Sequence, residues 1–149
     1  MEIKQLQPKK VFYTSLKASL QTLTNDVGEK PNMLLEDLQK TGIKETGPQE
    51  WVYYGSDGKP QTEFSLEICF PVEEEQEGNS FFKILDGGSF AIETHKGSWA
   101  ALGSTYQKMM QQIMIEGKRP SGVSREVYHV CDFVNPENCV TEVQIELLS

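Results

Sequence analysis

An internal repeat limits what this chain can fold into more than any other feature of its sequence. Three segments of the first half match three segments of the second half in the same order: residues 3–19 with 82–98, 47–53 with 122–128, and 62–68 with 141–147. Three matches in one order are not expected by chance. We therefore predict two copies of one unit, over about 1–72 and 79–149, joined by the acidic linker 73–78.

Each copy is predicted to fold as a β-α-β-β unit. Segments that mix β-branched and aromatic residues, or alternate apolar and polar ones, predict these strands: 10–16, 50–54 and 64–68 in the first copy, and 89–95, 125–131 and 143–147 in the second. Apolar residues at helical spacing predict one helix between Pro31 and Gly42 and another between Gly97 and Gly117. We expect an α+β fold in which one antiparallel sheet carries both helices on one face, related by an approximate two-fold axis.

The bulk properties predict a single cytoplasmic domain. The 149 residues are about the length of one domain, so we expect one stand-alone domain over 1–149. Residues 1–5 carry charge and no apolar signal segment, and no apolar run approaches the length of a membrane span. Cys69, Cys131 and Cys139 are odd in number, as is typical of reduced thiols in the cytosol.

The charge balance bears on the class of partner. The formal net charge is −8 and the sequence pI is near 4.8, which argues against direct nucleic-acid binding because phosphate contacts need Lys and Arg. The same negative field favours cationic ligands. Solubility alone also accounts for an acidic surface, so the charge by itself does not identify a site.

The repeat predicts a carboxylate among aromatic rings. Trp51 aligns with Glu126, and Tyr53 aligns with Tyr128. Residues two apart on a strand share a face, so these side chains point the same way if both strands lie beside the axis. A desolvated acid among rings has a raised pKa and suits an organic cation. In the alternative interpretation, Glu126 pairs with Arg125, a lysine or solvent, and the aromatic residues belong to the core.

Other common types of site are not predicted. His95 and His129 have no cysteine or carboxylate at a zinc spacing, so we expect no metal and no cofactor, with a haem ligand as a remote alternative. The chain has no glycine-rich phosphate loop, because Gly87–Gly88 fits a turn, and no Gly-x-Ser-x-Gly motif for a serine nucleophile.

Segments 95–99, 120–128 and 141–147 resemble the GyrI-like small-molecule-binding family, whose relatives include effector-binding domains of AraC- and MerR-type multidrug-responsive bacterial regulators. The resemblance implies a duplicated fold, a bacterial cytoplasmic setting and a central pocket for amphipathic, often cationic compounds. The family's central glutamate matches Glu126, its following tyrosine Tyr128, and its glycine before the second helix Gly97. The chain departs from the family in a longer, irregular stretch before its first helix. It also leaves no room for a DNA-binding helix-turn-helix domain.

Three functions are compatible with this sequence. The leading hypothesis is a drug- or metabolite-binding module that senses or sequesters its ligand, with these ligand-binding residues: Glu126, Tyr128, Trp51, Tyr53, Trp99 and Tyr106. A second is a hydrolase of strained cyclopropane-type genotoxins, in which Glu126 acts as general base. A third is a protein-interaction role, with gyrase or a regulator as the partner. We expect binding without catalysis ahead of the two alternatives.

Overall fold

The computed structural model describes all residues, Met1–Ser149, and contains one eight-stranded antiparallel sheet. The strands are β1 (Glu2–Leu6), β2 (Lys9–Ala18), β3 (Glu50–Tyr54), β4 (Phe64–Pro71), β5 (Phe82–Leu85), β6 (Gly88–Lys96), β7 (Pro120–Val130) and β8 (Val140–Leu147). The helices are α1 (Leu23–Val27), α2 (Lys30–Thr41) and α3 (Leu102–Ile115). Across the sheet the strands lie in the order β1-β6-β8-β7-β3-β4-β2-β5. The prediction of an α+β fold with an antiparallel sheet and two long helices is confirmed.

Two strands were not predicted. Each half of the chain begins with an extra strand, β1 or β5, before the strand that the sequence pattern indicates. Four of the five residues of β1 are exposed, so its sequence lacks the apolar alternation that identifies a half-buried strand. The element order is therefore β-β-α-α-β-β in the first half and β-β-α-β-β in the second, rather than the predicted β-α-β-β.

The extra strands exchange partners between the two halves of the chain. Strand β1 pairs with β6, in the second half, and β5 pairs with β2, in the first half. The turns that follow these two strands pass very close to each other. A Cβ added to Gly87 would lie only 2.4 Å from the carbonyl oxygen of Leu6. Glycine is the one residue that fits this approach without displacing the other chain segment.

Helix α2 begins and ends where the sequence predicts. Pro31 lies in its first turn, where a missing amide hydrogen costs nothing, and Gly42 follows it in the left-handed conformation with φ of 80°. Leu34 and Leu38 are buried, one helical turn apart. They pack on the first-half strands in a cluster with Phe12, Ala18, Val27, Tyr53, Phe64, Leu66, Ile68, Phe70, Val72 and Phe82.

Helix α3 covers the second-half strands. Met109 and Ile113 pack with Ala91 of β6 and with Val143, Ile145 and Leu147 of β8. Met110, next to Met109 on the same helix, is 41% exposed because it lies at the margin of the buried face. At 14 residues α3 is the longest helix, and none of the helices has the length and apolar character needed to cross a bilayer.

Candidate functional site

The two central strands, β3 and β7, bring the predicted residues to one face of the sheet. Their register places Trp51 opposite Glu126 and Tyr53 opposite Ser124. Tyr53 packs in the α2 cluster, and Glu126 accepts a hydrogen bond from Tyr106 of α3. Both long helices therefore lie on the same face as Glu126, which stands between them.

Arg125 is not the partner of Glu126. Neighbouring strand residues point to opposite faces, and Arg125 donates to the carbonyl of Asp86 at 2.7 Å with its guanidinium 4.5 Å from the ring centroid of Phe90. Glu126 forms no salt bridge with any lysine, arginine or histidine. The alternative in which Glu126 pairs with Arg125 is wrong, because the pleat of β7 separates the two side chains.

Three tyrosine hydroxyls hold the carboxylate of Glu126. Tyr128 and Tyr53 donate to Oε1 at 2.7 and 3.3 Å, and Tyr106 donates to Oε2 at 2.7 Å. The donors come from β7, β3 and α3, so the hydrogen bonds connect both halves of the chain. Glu126 is only 7% exposed. The site is thus a buried acid with three tyrosine donors and no salt bridge.

Burial dominates the protonation behaviour of this group. Desolvation raises the pKa of Glu126 above 4.5, although the hydrogen bonds from the three tyrosines act in the opposite direction. Burial, together with the nearby carboxylate, raises the pKa of Tyr53, Tyr106 and Tyr128 well above 10.0. The tyrosines therefore remain neutral hydrogen-bond donors throughout the physiological range.

A row of aromatic rings leads away from the carboxylate. Tyr128 contacts Trp51 edge-on at a centroid distance of 5.4 Å and Trp99 at 6.2 Å. Trp99 in turn contacts Phe133 at 5.4 Å. Trp51, Trp99 and Tyr128 are half-buried, so each presents part of its ring to solvent. Such partly exposed faces offer apolar area and cation–π attraction to a ligand.

The turn before α3 positions Trp99 and Tyr106. Gly97 has φ of 122°, a conformation that side chains rarely adopt, and Ser98 caps the following 3-10 turn, Trp99–Ala101. His95 Nε2 donates to the carbonyl of Ser98 at 2.9 Å, and its Nδ1 shares a hydrogen bond with the hydroxyl of Thr105 at 2.7 Å. His95 is thus a structural link between β6 and α3.

All six predicted site residues lie together. Glu126 and three tyrosines are joined by hydrogen bonds, while Trp51 and Trp99 join them through ring contacts with Tyr128. Tyr53 fits both interpretations of the aromatic residues, because it donates to Glu126 and also packs in the core beside α2.

The sequence pattern missed two residues that bear on the site. Thr141 accepts the indole N–H of Trp99 at 3.0 Å, and Phe133 lies against the ring of Trp99. Thr141 lies in β8, two residues before the predicted strand 143–147, and its acceptor role depends on a contact with a residue far along the chain. Phe133 lies in a loop without periodicity, and its only local signal is a large aromatic residue among turn-forming ones.

Two surface clefts lie away from this site. One, of about 370 Å³, is lined by residues of the β1–β2 turn, the segment before β3 and the end of β4, including Lys9, Gly47 and Val72. The other, about 800 Å³ and open, is lined by segments 20–21 and 59–62. Neither contains a residue of the carboxylate cluster.

The fold and the site together define a small-molecule-binding domain: an antiparallel sheet with a buried acid and partly exposed rings between two helices. The chain belongs to the GyrI-like small molecule binding domain family, whose model matches residues 1–148. None of the curated protein sequences matches significantly. The resemblance of segments 95–99, 120–128 and 141–147 to this family is confirmed.

Solved structures share the fold. The C-terminal domain of EcmrR superposes with a TM-score of 0.79 at 17% identity, covering 99% of this chain and 96% of that one. In the EcmrR–DNA complex the TM-score is 0.77 at 19% identity, and the match covers 98% of this chain but 56% of that chain. SAV2435 bound to tetraphenylphosphonium gives 0.67 at 9% identity, with 99% and 93% covered. A hydrolase encoded by lin2189 from Listeria innocua gives 0.61 at 13%, with 99% and 91% covered.

Proposed function

We propose that this domain binds amphipathic organic cations, with the positive centre at Glu126 and apolar groups against the surrounding rings. The observation that carries the proposal is that Glu126 is buried, has three neutral hydrogen-bond donors and forms no salt bridge. A buried charge without a counter-charge is costly unless a partner supplies one. A ligand cation is such a partner.

The residues around Glu126 have two different roles in the proposed binding. Tyr53, Tyr106 and Tyr128 orient the carboxylate through their hydroxyls, while the half-buried rings of Trp51 and Trp99 contact the ligand. Aromatic faces attract cations by about 0.5–2 kcal/mol each, more where water is excluded. The net charge of −8 adds a long-range attraction for cations in the surrounding solvent.

A structural relative supports the cationic class of ligand. SAV2435, which shares the fold, is bound to tetraphenylphosphonium, a lipophilic cation. We infer the same chemical class for this chain from its own carboxylate and rings. In this proposal the domain, over 1–149, senses or sequesters its ligand in the cytoplasm and passes the bound state to a protein partner.

We further propose that the site lies on the pseudo-two-fold axis of a duplicated unit. When β1, β2, β3 and β4 are exchanged with β5, β6, β7 and β8, the result is the same strand order read from the opposite edge of the sheet. A two-fold axis through the middle of the sheet would produce this relation. Trp51 and Glu126, which align in the sequence repeat, are also direct partners in the β3–β7 register. Both observations support an axis that passes between the equivalent positions 51 and 126. Only the second of these positions carries an acid, so we expect one ligand to bind per chain.

Isothermal titration with tetraphenylphosphonium tests the proposed function. We expect Glu126→Gln to weaken binding about tenfold or more, because a charged contact worth roughly 1.5–3 kcal/mol is lost while the shape is kept. A neutral ligand of similar shape, triphenylphosphine oxide, should bind the wild type and the variant equally.

Glu146→Gln is the matched control for this titration. Glu146 lies on β8 between Ile145 and Leu147, which pack under α3, so its side chain points to the opposite face of the sheet. This variant should bind the phosphonium within about twofold of the wild type. Undiminished binding by Glu126→Gln, or no binding by the wild type, would contradict the proposal.

A second candidate activity uses the same carboxylate. The raised pKa of Glu126 and the adjacent tyrosine hydroxyls suit proton transfer, and one structural relative is described as a hydrolase. In this scheme Glu126 takes a proton from water as the water oxygen bonds to a carbon of a strained cyclopropane ring, while Tyr128 and Trp99 hold the substrate. The ring C–C bond breaks, and the proton passes from Glu126 to the substrate atom that receives the released electron pair. Mass analysis after incubation with such a compound separates the two functions, since binding returns it intact and hydrolysis adds one water.

A further inference from the structure

The loop between β7 and β8 places a large apolar side chain in solvent. Phe133 is 81% exposed, and its neighbour Val134 is 86% exposed. An exposed phenylalanine forgoes the free energy that burial of its ring would contribute. Its ring nevertheless contacts the protein, at 5.4 Å from the centroid of Trp99 and at an interplanar angle of 57°.

Hydrogen bonds to Asp132 fix the backbone that carries Phe133. Asp132 Oδ1 accepts from the backbone amides of Val134 at 3.0 Å and Asn135 at 2.8 Å, and Oδ2 accepts from the side chain of Asn138 at 3.2 Å. These bonds hold the pKa of Asp132 below its usual value, so the carboxylate stays ionised and keeps its donors. The exposure of Phe133 is therefore a property of an ordered turn.

Phe133 is the outermost ring of the row that starts at Glu126. Tyr128 donates to the carboxylate and contacts Trp99, and Trp99 contacts Phe133. The indole of Trp99 is anchored to Thr141, a residue with no exposed surface. A continuous series of rings thus connects the buried charge with solvent.

We propose that Trp99 and Phe133 form an outer subsite that binds an aromatic group of the ligand while its charged centre lies at Glu126. This inference rests on the proposed function and adds the class of ligand: aryl-bearing molecules rather than small alkyl cations. Rings held in place before binding lose little conformational entropy when a ligand contacts them. Phe133 is then a specificity-determining residue whose contact is with the aryl group and not with the charge.

Titration of Phe133→Ala with the two ligands named above tests this subsite. We expect the variant to bind both tetraphenylphosphonium and neutral triphenylphosphine oxide about fivefold more weakly than the wild type, because one ring–ring contact is removed from each. Glu126→Gln should weaken the cation alone. The double variant should show the product of the two factors for the cation, since the two residues do not touch.

Phe81→Ala is the matched control. Phe81 is 53% exposed and contacts Phe12, which belongs to the α2 cluster rather than to the carboxylate site. This variant should bind both ligands as the wild type does, and Phe133→Ala should melt within about 2 °C of the wild type because its side chain is exposed.

The outcomes separate the subsite from the proposed function. Unchanged affinity of Phe133→Ala for both ligands overturns the subsite, even if Glu126→Gln loses the cation. A loss by Phe133→Ala of the cation but not of the neutral ligand also overturns it, because the contact would then act on charge. If Phe133→Ala binds both ligands more weakly and Glu126→Gln binds the cation as tightly as the wild type, the subsite is supported and the proposed role of Glu126 is overturned.

Discussion

Glu126 is the side chain on which the proposed binding of a cation depends. Its three hydrogen bonds come from hydroxyls, which solvate a negative charge without neutralising it. The acid therefore keeps its charge available to a ligand, at a cost in folding free energy that grows when it ionises. Binding and stability accordingly place opposite demands on this residue.

The stability of the wild type should fall as pH rises above 4.5, relative to Glu126→Gln. Burial raises the pKa of Glu126 in the folded state, so between the unfolded and folded pKa values the native protein binds more protons than the unfolded chain. Stability then decreases across that window and levels off above the folded pKa. Urea denaturation from pH 4 to pH 8 should show the free energy of unfolding of Glu126→Gln rising relative to that of the wild type as the pH increases.

The same series on Glu146→Gln provides the reference, since that acid lies on the opposite face of the sheet and the substitution is identical. A stability difference between the wild type and Glu126→Gln that is flat with pH, or that changes in the other direction, would show that the native state does not disfavour the ionised acid.

Helix α2 is held to the sheet mainly by its buried leucines. Leu38 has no exposed surface, whereas Leu35, on the same helix, is half-buried. Truncation of Leu38 to alanine should lower the free energy of unfolding by about 2–5 kcal/mol, because a cavity opens among well-packed neighbours. Leu35→Ala should cost less than half as much. Chemical denaturation of both variants measures the difference, and equal losses would mean that α2 does not pack as described.

The regular elements were largely predictable and their pairing was not. Pro31 and Gly42 define the ends of α2 locally, and the alternation in 64–68 and 143–147 identifies β4 and β8. By contrast, β1 is a strand only because β6 offers it a partner far along the chain. No short-range pattern contains such information.

The grouping of the candidate site residues was predictable for those that lie in the matched segments of the internal repeat, 47–53 and 122–128. Aligning Trp51 with Glu126 predicted that the two side chains point the same way, and in the β3–β7 pair they lie opposite each other. Trp99 was predicted on the helix stripe but lies in the 3-10 turn before α3. Phe133 was not predicted, since its position follows from the hydrogen bonds of Asp132 and not from any periodic pattern.

The two halves of the chain should unfold together. Strands β1 and β5 each complete the sheet of the other half, so neither half keeps its strand partners when the other is lost. Trp51 lies in the first half and Trp99 in the second, so the variants Trp51→Phe and Trp99→Phe each leave one local reporter. Their urea transitions, corrected for any change in stability, should superpose on the transition followed by circular dichroism. Two transitions at different midpoints would mean that the halves fold independently.

The exchange of β1 and β5 also determines how the domain can accommodate ligands of different shape. A site between two halves that share strands has no hinge about which those halves could swing apart. In the proposed function, ligands that differ in size must then fit the same spacing between the two halves, because the backbone frame stays fixed.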